Sequence, residues 1–396
     1  MKKLLIIGAG SAGSVVIQKC CRLSSVFSEI HVASRTLEKS NELKSTKKCA
    51  IHIHRCDADD TEALITLMSS ISPYCVINMA LPYQDLSIME ACLSVGAHYV
   101  DTANYEPRDK AEFCYKWQWD YHERFKEKGL MALLGCGFDP GVTNIFCAYA
   151  QKELFDQIHT IDIIDCNAGD HGHPFATNFN PEINIREITQ DGKYWKNGQW
   201  VTTKALSEEQ SIYFPEVGHK DAYLMYHEEI ESLAKHIKGV QQIRFWMTFS
   251  QEYLTYLNVL QNVGMTRIDP IQYNGQEIIP LQFLKEVLPN PSDLGEGYTG
   301  KTCIGCVIHG EKNGKTLTKM IYNVCEHQQA YKDCDAQAVG YTTGVPAMIG
   351  AKLLCEGTWM ESGVINVEQC DPTPFLEDLK KYGLPWKVID YEHRII

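Results

Sequence analysis

The opening of the chain constrains its fold more than any other stretch. Residues 4–7 (Leu4-Leu5-Ile6-Ile7) form a short apolar run without polar alternation, the pattern of a parallel strand buried on both faces. The run enters Gly8-x-Gly10-x-x-Gly13 and then residues 14–20, which read as a helix. Each glycine has its own task in such a turn. Gly8 permits the tight bend, Gly10 lets backbone approach a pyrophosphate, and Gly13 lets the helix pack on the strand. Together with Ser11 and Ala12, the turn presents backbone N–H groups at the positive end of the helix, where phosphate is stabilised. Strand, glycines and helix in this order predict a dinucleotide-binding unit.

The second strand, residues 29–33, selects the cofactor. An NAD site carries a carboxylate at that strand's end, about twenty residues past the last glycine, to hold the ribose 2′-hydroxyl. Here the turn reads Ser34-Arg35-Thr36, with no acid before Glu38. A carboxylate would repel a 2′-phosphate, whereas arginine clamps it through two hydrogen bonds. The expected cofactor is NADP(H). A third strand over 51–56 delivers Asp57-Ala58 to its carboxyl end, a place for adenine. The strand over 74–79 runs into Ala80-Leu81-Pro82, a turn that should abut the middle of the cofactor. Further strands over 97–100 and 130–134, with helices over 37–48, 62–70, 86–95 and 109–128, complete a repeated βα register. This predicts an α/β fold with a Rossmann-type, doubly wound parallel sheet. The sixth strand enters the glycine-rich turn 135–144, at the end of the sheet where ligands bind.

Beyond residue 143 the register changes to alternating runs over 158–164 and 241–249, a hairpin at Asn313-Gly314, and helices over 223–237 and 251–263. That pattern predicts a second, α+β domain with a mostly antiparallel sheet. A small-residue helix over 342–354 should return to the first domain. The expected organisation is therefore a nucleotide domain (1–143), a substrate and dimerisation domain (144–338) and a C-terminal return (339–396); a chain of 396 residues is too long for one core. A net charge of −13 argues against a nucleic-acid partner and is compatible with a cationic substrate. No apolar stretch approaches the roughly 20 residues of a membrane span, and the opening apolar run is too short for a secretory signal. The 16 cysteines are therefore expected as thiols in the cytoplasm. Cys303 and Cys306 have metal-like spacing, but on a strand they face opposite ways. His52 and His54 share a strand face and are read as packing residues.

Several segments together resemble the saccharopine dehydrogenase-like reductases: the glycine motif, Ser34-Arg35, Gly96-Ala97-His98-Tyr99-Val100-Asp101, Gly137-Phe138-Asp139-Pro140-Gly141 and Thr343-Gly344-Val345-Pro346-Ala347. Within them, Asn180-Pro181-Glu182-Ile183-Asn184, Gly218-His219-Lys220-Asp221 and the segment 244–249 are most similar to the carboxynorspermidine (carboxyspermidine) dehydrogenase branch. The resemblance spans essentially the whole chain. It implies an NADPH-dependent reductive condensation of L-aspartate β-semialdehyde with putrescine or 1,3-diaminopropane. A glutamate-forming saccharopine dehydrogenase, with a different amine and semialdehyde, is the nearest alternative. A non-catalytic NADP-binding sensor belongs to another class, against which the dense polar turn 135–144 speaks. A homodimer is expected because two-fold assemblies predominate.

Such chemistry needs an amino-acid headgroup held, a diamine recognised and protons moved with water excluded. Asp101 and Asp139 end strands beside the cofactor and are candidates for proton relay or ammonium binding, with Cys136 in the same turn as the third catalytic candidate. The planar fork of Arg244 suits the α-carboxylate, with Arg186 in reserve. His219, Asp221 and Glu228, the last beside Glu229, are candidates for an acidic wall that receives the amine. Asn144 starts the crossing helix and is placed to touch substrate. His171 and His173 are read as loop residues lining the substrate; hydride reduction needs no metal, and none is expected.

Overall fold

Two sheets organise the chain in the computed structural model, which describes residues 2–36, 50–110, 112–393 and 395. The expected helix over 37–48 lies outside the described residues. The first sheet begins with β1 (Lys2–Ile7), β2 (Phe27–Ser34), β3 (Ile51–Arg55), β4 (Cys75–Asn78), β5 (His98–Val100) and β6 (Met131–Leu134). They run parallel in the order 6-5-4-1-2-3. Strand order reverses at β1, which pairs with β2 on one side and β4 on the other; ligands of doubly wound sheets lie at the carboxyl ends of the strands at this point. The apolar run of β1 fits its place: Leu4 and Ile6 enter one core cluster, Leu5 and Ile7 another, on opposite faces.

The second sheet has nine strands. They are β7 (Gln157–Asp170), the hairpin β8 (Gly192–Lys196) and β9 (Gln199–Thr203), the hairpin β10 (Glu209–Phe214) and β11 (Gly218–Met225), and β12 (Gln242–Thr248). After a small exposed hairpin, β13 (Ile271–Tyr273) and β14 (Gln276–Ile278), come β15 (Thr299–Lys312) and β16 (Lys315–Glu326). β17 (Gly363–Asn366) leaves this sheet and pairs parallel with β6, extending the first sheet to seven strands, and β18 (Trp386–Asp390) returns to pair with β16. The sheet is antiparallel except where β12 lies parallel to β7. Cys303 and Cys306 on β15 fall into separate core clusters, one on each face, as their spacing on a strand requires.

The helix Ala338–Glu356 crosses the helix Ser11–Cys21, and the contact is close because Gly340 and Gly344 meet Ser11 and Val15 where a side chain would collide. Two local expectations are corrected. Residues 109–128 are not one helix but the short helices Lys116–Trp119 and His122–Glu127, because the second domain takes up backbone groups from the segment before them. Glu228 accepts the N–H of Asn104 at 3.3 Å and Glu231 that of Tyr115 at 2.8 Å, holding this stretch out of a helix. The helix expected from residue 223 starts only at Glu229, because residues through Met225 extend β11. The all-thiol expectation also has an exception, since Cys21 is disulfide-bonded.

Candidate active site

Between the carboxyl ends of the first sheet and the second domain lies a cleft of adjoining cavities that share wall residues. Its outer nucleotide end, about 420 Å³, is walled by Gly8, Ser34, Arg35, Thr36, Asp57 and Ala58. The next cavity, about 450 Å³, runs along Gly10, Ser11, Ala12 and Gly13. A third, about 240 Å³, continues past Ala80, Leu81 and Pro82 into the second domain. All the residues expected to hold the dinucleotide therefore line one continuous path.

Local structure explains why the path is open to phosphate. Gly8 adopts φ +101°, and a side chain there would strike the Met79 carbonyl, so the turn requires glycine. At Gly10 a Cβ would meet nothing within 4 Å; the space it would point into is the cavity itself. The first N–H groups of the helix Ser11–Cys21 face this space without intrahelical partners, and the buried Ser11 hydroxyl has no hydrogen-bond partner among the described residues. Further along, Asn78 Oδ1 accepts the Ala80 N–H at 3.0 Å while its Nδ2 donates to Asp85 at 2.8 Å, fixing the Ala80-Leu81-Pro82 turn. These residues fit a dinucleotide phosphate.

The third cavity gathers charge. Asp139 enters from the turn after β6, Asp165 from β7, Glu187 from the helix Pro181–Ile188, and His227 and Glu228 from the segment after β11. His227 Nε2 lies 3.2 Å from Glu187 Oε1; its Nδ1 is hydrogen-bonded to Glu229 and stands 3.6 Å from Glu228 Oε2. Burial alone would lower the His227 pKa, but the surrounding carboxylates raise it well above the usual imidazole value, so the ring is an imidazolium at neutral pH. Burial pushes the Glu228 carboxyl up to about 7, against the pull of His227. Asp139 and Asp165 are buried neighbours that act on each other's charge; burial raises Asp139 well above the usual carboxyl range, and Asp165 is pushed up to about 6. Raised carboxyls side by side resist ionising together, so the pair can hold a proton near neutral pH. The chamber thus holds ionisable carboxyls on several sides, one imidazolium, and no lysine or arginine among its described wall residues.

A fourth cavity, about 320 Å³, opens outward from Asp165 past Asn167, His171, His173, Asn178 and Tyr253. It too has no lysine or arginine among its described wall residues, and its donors are amides, hydroxyls and imidazoles.

Of the expected catalytic residues, only Asp139 borders the chamber. Asp101 is buried outside its walls, its Oδ1 accepting the Gly135 N–H and its Oδ2 the Gln118 amide, both at 2.7 Å, which ties the end of β5 to the turn after β6 and to the helix Lys116–Trp119. Cys136 packs against Gly350 with its Sγ 3.4 Å from the Pro346 carbonyl, and burial raises its thiol far above reactive values. Asn144 acts as a bracket: its Oδ1 accepts the Gly141 N–H at 2.9 Å, and its Nδ2 donates to Ser232 and Glu368. Arg244 forks onto Asp162, its neighbour across the β12–β7 pair, at 2.7 and 3.1 Å, and lies outside the cavity walls. Arg186 is likewise committed, to Glu106 at 2.5 Å and to the carbonyls of Pro107, Arg108 and Lys110. His219 and Asp221 are exposed on β11. Glu228 is in the chamber.

Asp165, Glu187 and His227 escaped sequence reasoning. The signals were faint: an acid interrupting the apolar run of β7, an Ile183–Glu187 pair one helical turn apart, and a histidine preceding two glutamates.

A Rossmann-type sheet opening onto a chamber of buried carboxyls, with an open glycine groove beside it, is the architecture of a two-domain, NADP(H)-dependent oxidoreductase. Models of the saccharopine dehydrogenase NADP binding domain and C-terminal domain match residues 4–133 and 137–384. The chain belongs to the saccharopine dehydrogenase family. It is 52% identical over 387 residues to the carboxyaminopropylagmatine dehydrogenase of Synechocystis sp., covering 98% of this chain and 97% of that protein. It is 43% identical over 405 residues to the carboxynorspermidine synthase of Vibrio alginolyticus, with the same coverage of both. The fold matches apo saccharopine dehydrogenase (L-Glu forming) from Saccharomyces cerevisiae with a TM-score of 0.74 at 14% identity, over 98% of this chain and 100% of that one. No helix among the described residues is long and apolar enough to cross a membrane.

Proposed function

We propose that the enzyme condenses L-aspartate β-semialdehyde with a small amine carrying a second cationic end, putrescine or 1,3-diaminopropane, and reduces the C=N bond with NADPH. The observation that carries this reading is the chamber itself, where Asp139, Asp165, Glu187 and Glu228 converge and His227 is the one cation among the described wall residues. The far ammonium of the amine is received by Glu228 and Glu187. The attacking amine, made neutral by proton loss to Asp165, adds to the aldehyde. The Asp139–Asp165 pair returns that proton to the departing hydroxyl, water leaves, and an iminium remains. Bound NADPH supplies the hydride that reduces this carbon, leaving a secondary amine. With Arg244 and Arg186 committed elsewhere, the α-carboxylate of the semialdehyde is held in the outer cavity by His171, His173 and Asn178.

A second reading replaces the diamine by agmatine, whose guanidinium is larger and also cationic. It is favoured by the relative of 52% identity that is named for an agmatine adduct, and by the room of the outer cavity. The test crosses semialdehydes with amines while following NADPH oxidation. Turnover with aspartate semialdehyde and a diamine or agmatine supports the proposal, and the faster amine chooses between the two readings. Turnover only with glutamate as the amine overturns both. The working assembly we propose is a cytoplasmic homodimer. Its supporting feature is the concentration of exposed apolar side chains in residues 256–287, including Tyr256, Val263, Tyr273 and Phe283; light scattering of the purified chain measures it.

A further inference from the structure

A bound dinucleotide brings a pyrophosphate, and in NADPH a 2′-phosphate as well, into a chain of net charge −13. Two described cations meet it, at different places. Arg35 stands at the end of β2, in the wall of the outer nucleotide cavity. Along the Gly10–Gly13 groove the single cationic side chain among the described wall residues is Lys285, which also borders the outer nucleotide cavity beside Arg35. Lys285 belongs not to the nucleotide domain but to the helix Pro280–Val287, anchored in the second domain by buried Leu281 and Leu284. Its ammonium is weakly engaged, with Glu182 Oε2 at 3.8 Å and Glu286 Oε1 at 3.9 Å, both beyond hydrogen-bond reach. Glu182 already accepts the Tyr83 hydroxyl at 3.0 Å through its other oxygen. Across the groove stand the helix N-terminus, worth only about half a positive charge, and the unpartnered Ser11 hydroxyl.

We infer that Lys285 is a cofactor-binding residue that closes over the pyrophosphate from the second domain, so that the dinucleotide bridges the two domains. Arg35 and Lys285 then divide the work: the first recognises the 2′-phosphate, the second any nicotinamide dinucleotide. The inference rests on the cofactor following the Gly10 groove.

The experiment titrates NADPH and NADH against the purified full chain by nicotinamide fluorescence, comparing the parent with Lys285→Met, Lys285→Gln, Lys285→Arg and Gly10→Val. Methionine keeps the apolar stem of lysine and removes only its charged head. Lys285→Met and Lys285→Gln are expected to weaken NADPH and NADH by the same factor, on the order of tenfold, as for one lost charge-assisted contact. Lys285→Arg should recover most of the loss. The melting temperature without cofactor should not fall, and the dependence of log Kd on log salt should become shallower than in the parent. Unchanged affinities overturn the assignment, as does a loss confined to NADPH, which would put the ammonium on the 2′-phosphate. If folded Gly10→Val still binds NADPH, the groove itself has been misassigned and the inference falls with it; that failure is distinct from one in which Gly10→Val loses binding and Lys285→Met does not.

Discussion

Glu228→Gln tests the chamber most directly, because the structure predicts opposite effects on stability and on recognition. Glu228 is 5% exposed, and its carboxyl is held at about 7 against an ordinary 4.5. Burial thus makes the folded chain hold this proton more tightly than the unfolded chain does. The stability cost is therefore absent below about pH 4.5, grows as pH rises through the interval, and is complete above about pH 7. At about 1.4 kcal/mol per pH unit the full cost is on the order of 3 kcal/mol. Glutamine keeps the shape and still accepts the Asn104 N–H, but it never ionises. It also deprives the His227 imidazolium of one neighbouring carboxylate, which offsets part of the gain. The variant should therefore melt above the parent at pH 8, with the difference shrinking toward zero near pH 5. In the same variant the KM for the diamine should rise on the order of tenfold to a hundredfold, as for a lost charged hydrogen bond, while the KM for the semialdehyde changes little. In the parent enzyme the diamine KM should climb as pH falls below 7, where Glu228 takes up its proton; the variant should lose that limb. Melting curves from pH 5 to 9 and initial rates over the same range supply both readouts. Parallel stability profiles for parent and variant, or an unchanged diamine KM, would refute the reasoning.

Arg35→Ala should narrow or reverse the preference for NADPH over NADH, by about 1.5–3 kcal/mol in relative kcat/KM; equal kinetics with both cofactors in the parent enzyme would contradict the role given to this residue. Gly10→Val should abolish NADPH binding in a chain that still melts cooperatively, because its methyl groups fill the open space beside the glycine. Arg244→Lys keeps the charge but loses the fork on Asp162, so the melting temperature should fall, by about 1–2 kcal/mol of stability, with both substrate KM values unchanged; a raised semialdehyde KM would return Arg244 to the site. Butylamine should be a poor substrate beside putrescine, and comparable rates for the two would mean that the far ammonium is not recognised.

The nucleotide half of the site was legible in the sequence because its physics is local. A strand, a turn that only glycine can make at Gly8 and the first turn of a helix occupy thirteen consecutive residues, and Ser34-Arg35-Thr36 follows at a fixed distance. The substrate half was not, because it is assembled from segments far apart. Asp139 and Asp165 meet only when β7 passes the end of β6, and Glu187 reaches His227 only when the helix Pro181–Ile188 packs beside the segment after β11. A single residue type also carries opposite fates: Arg244 reads as a free fork, yet its cross-strand neighbour Asp162 neutralises it. Asp101 ends a strand at the carboxyl edge of the sheet, as a catalytic acid would, but one of its oxygens is taken up by the turn after β6 and the other by Gln118 of the helix Lys116–Trp119. What a charged side chain is free to do depends on its partners, and partners distant in sequence leave no local pattern.

The seventh strand of the nucleotide sheet, β17, and the helix packed on Ser11–Cys21 both come from the last sixth of the chain. The cofactor domain is therefore discontinuous, and the polypeptide passes between the lobes more than once. Three covalent crossings join the lobes, the last carrying β18 back to β16; a pair of crossings defines the line about which the lobes can open, and the third resists twisting across it. One consequence reaches the ribosome. When the residues of β1 to β6 have been synthesised, the edge of β6 still lacks its neighbour and the face of the first helix is still bare, so the domain that starts the chain is completed only after the domain that follows it has emerged.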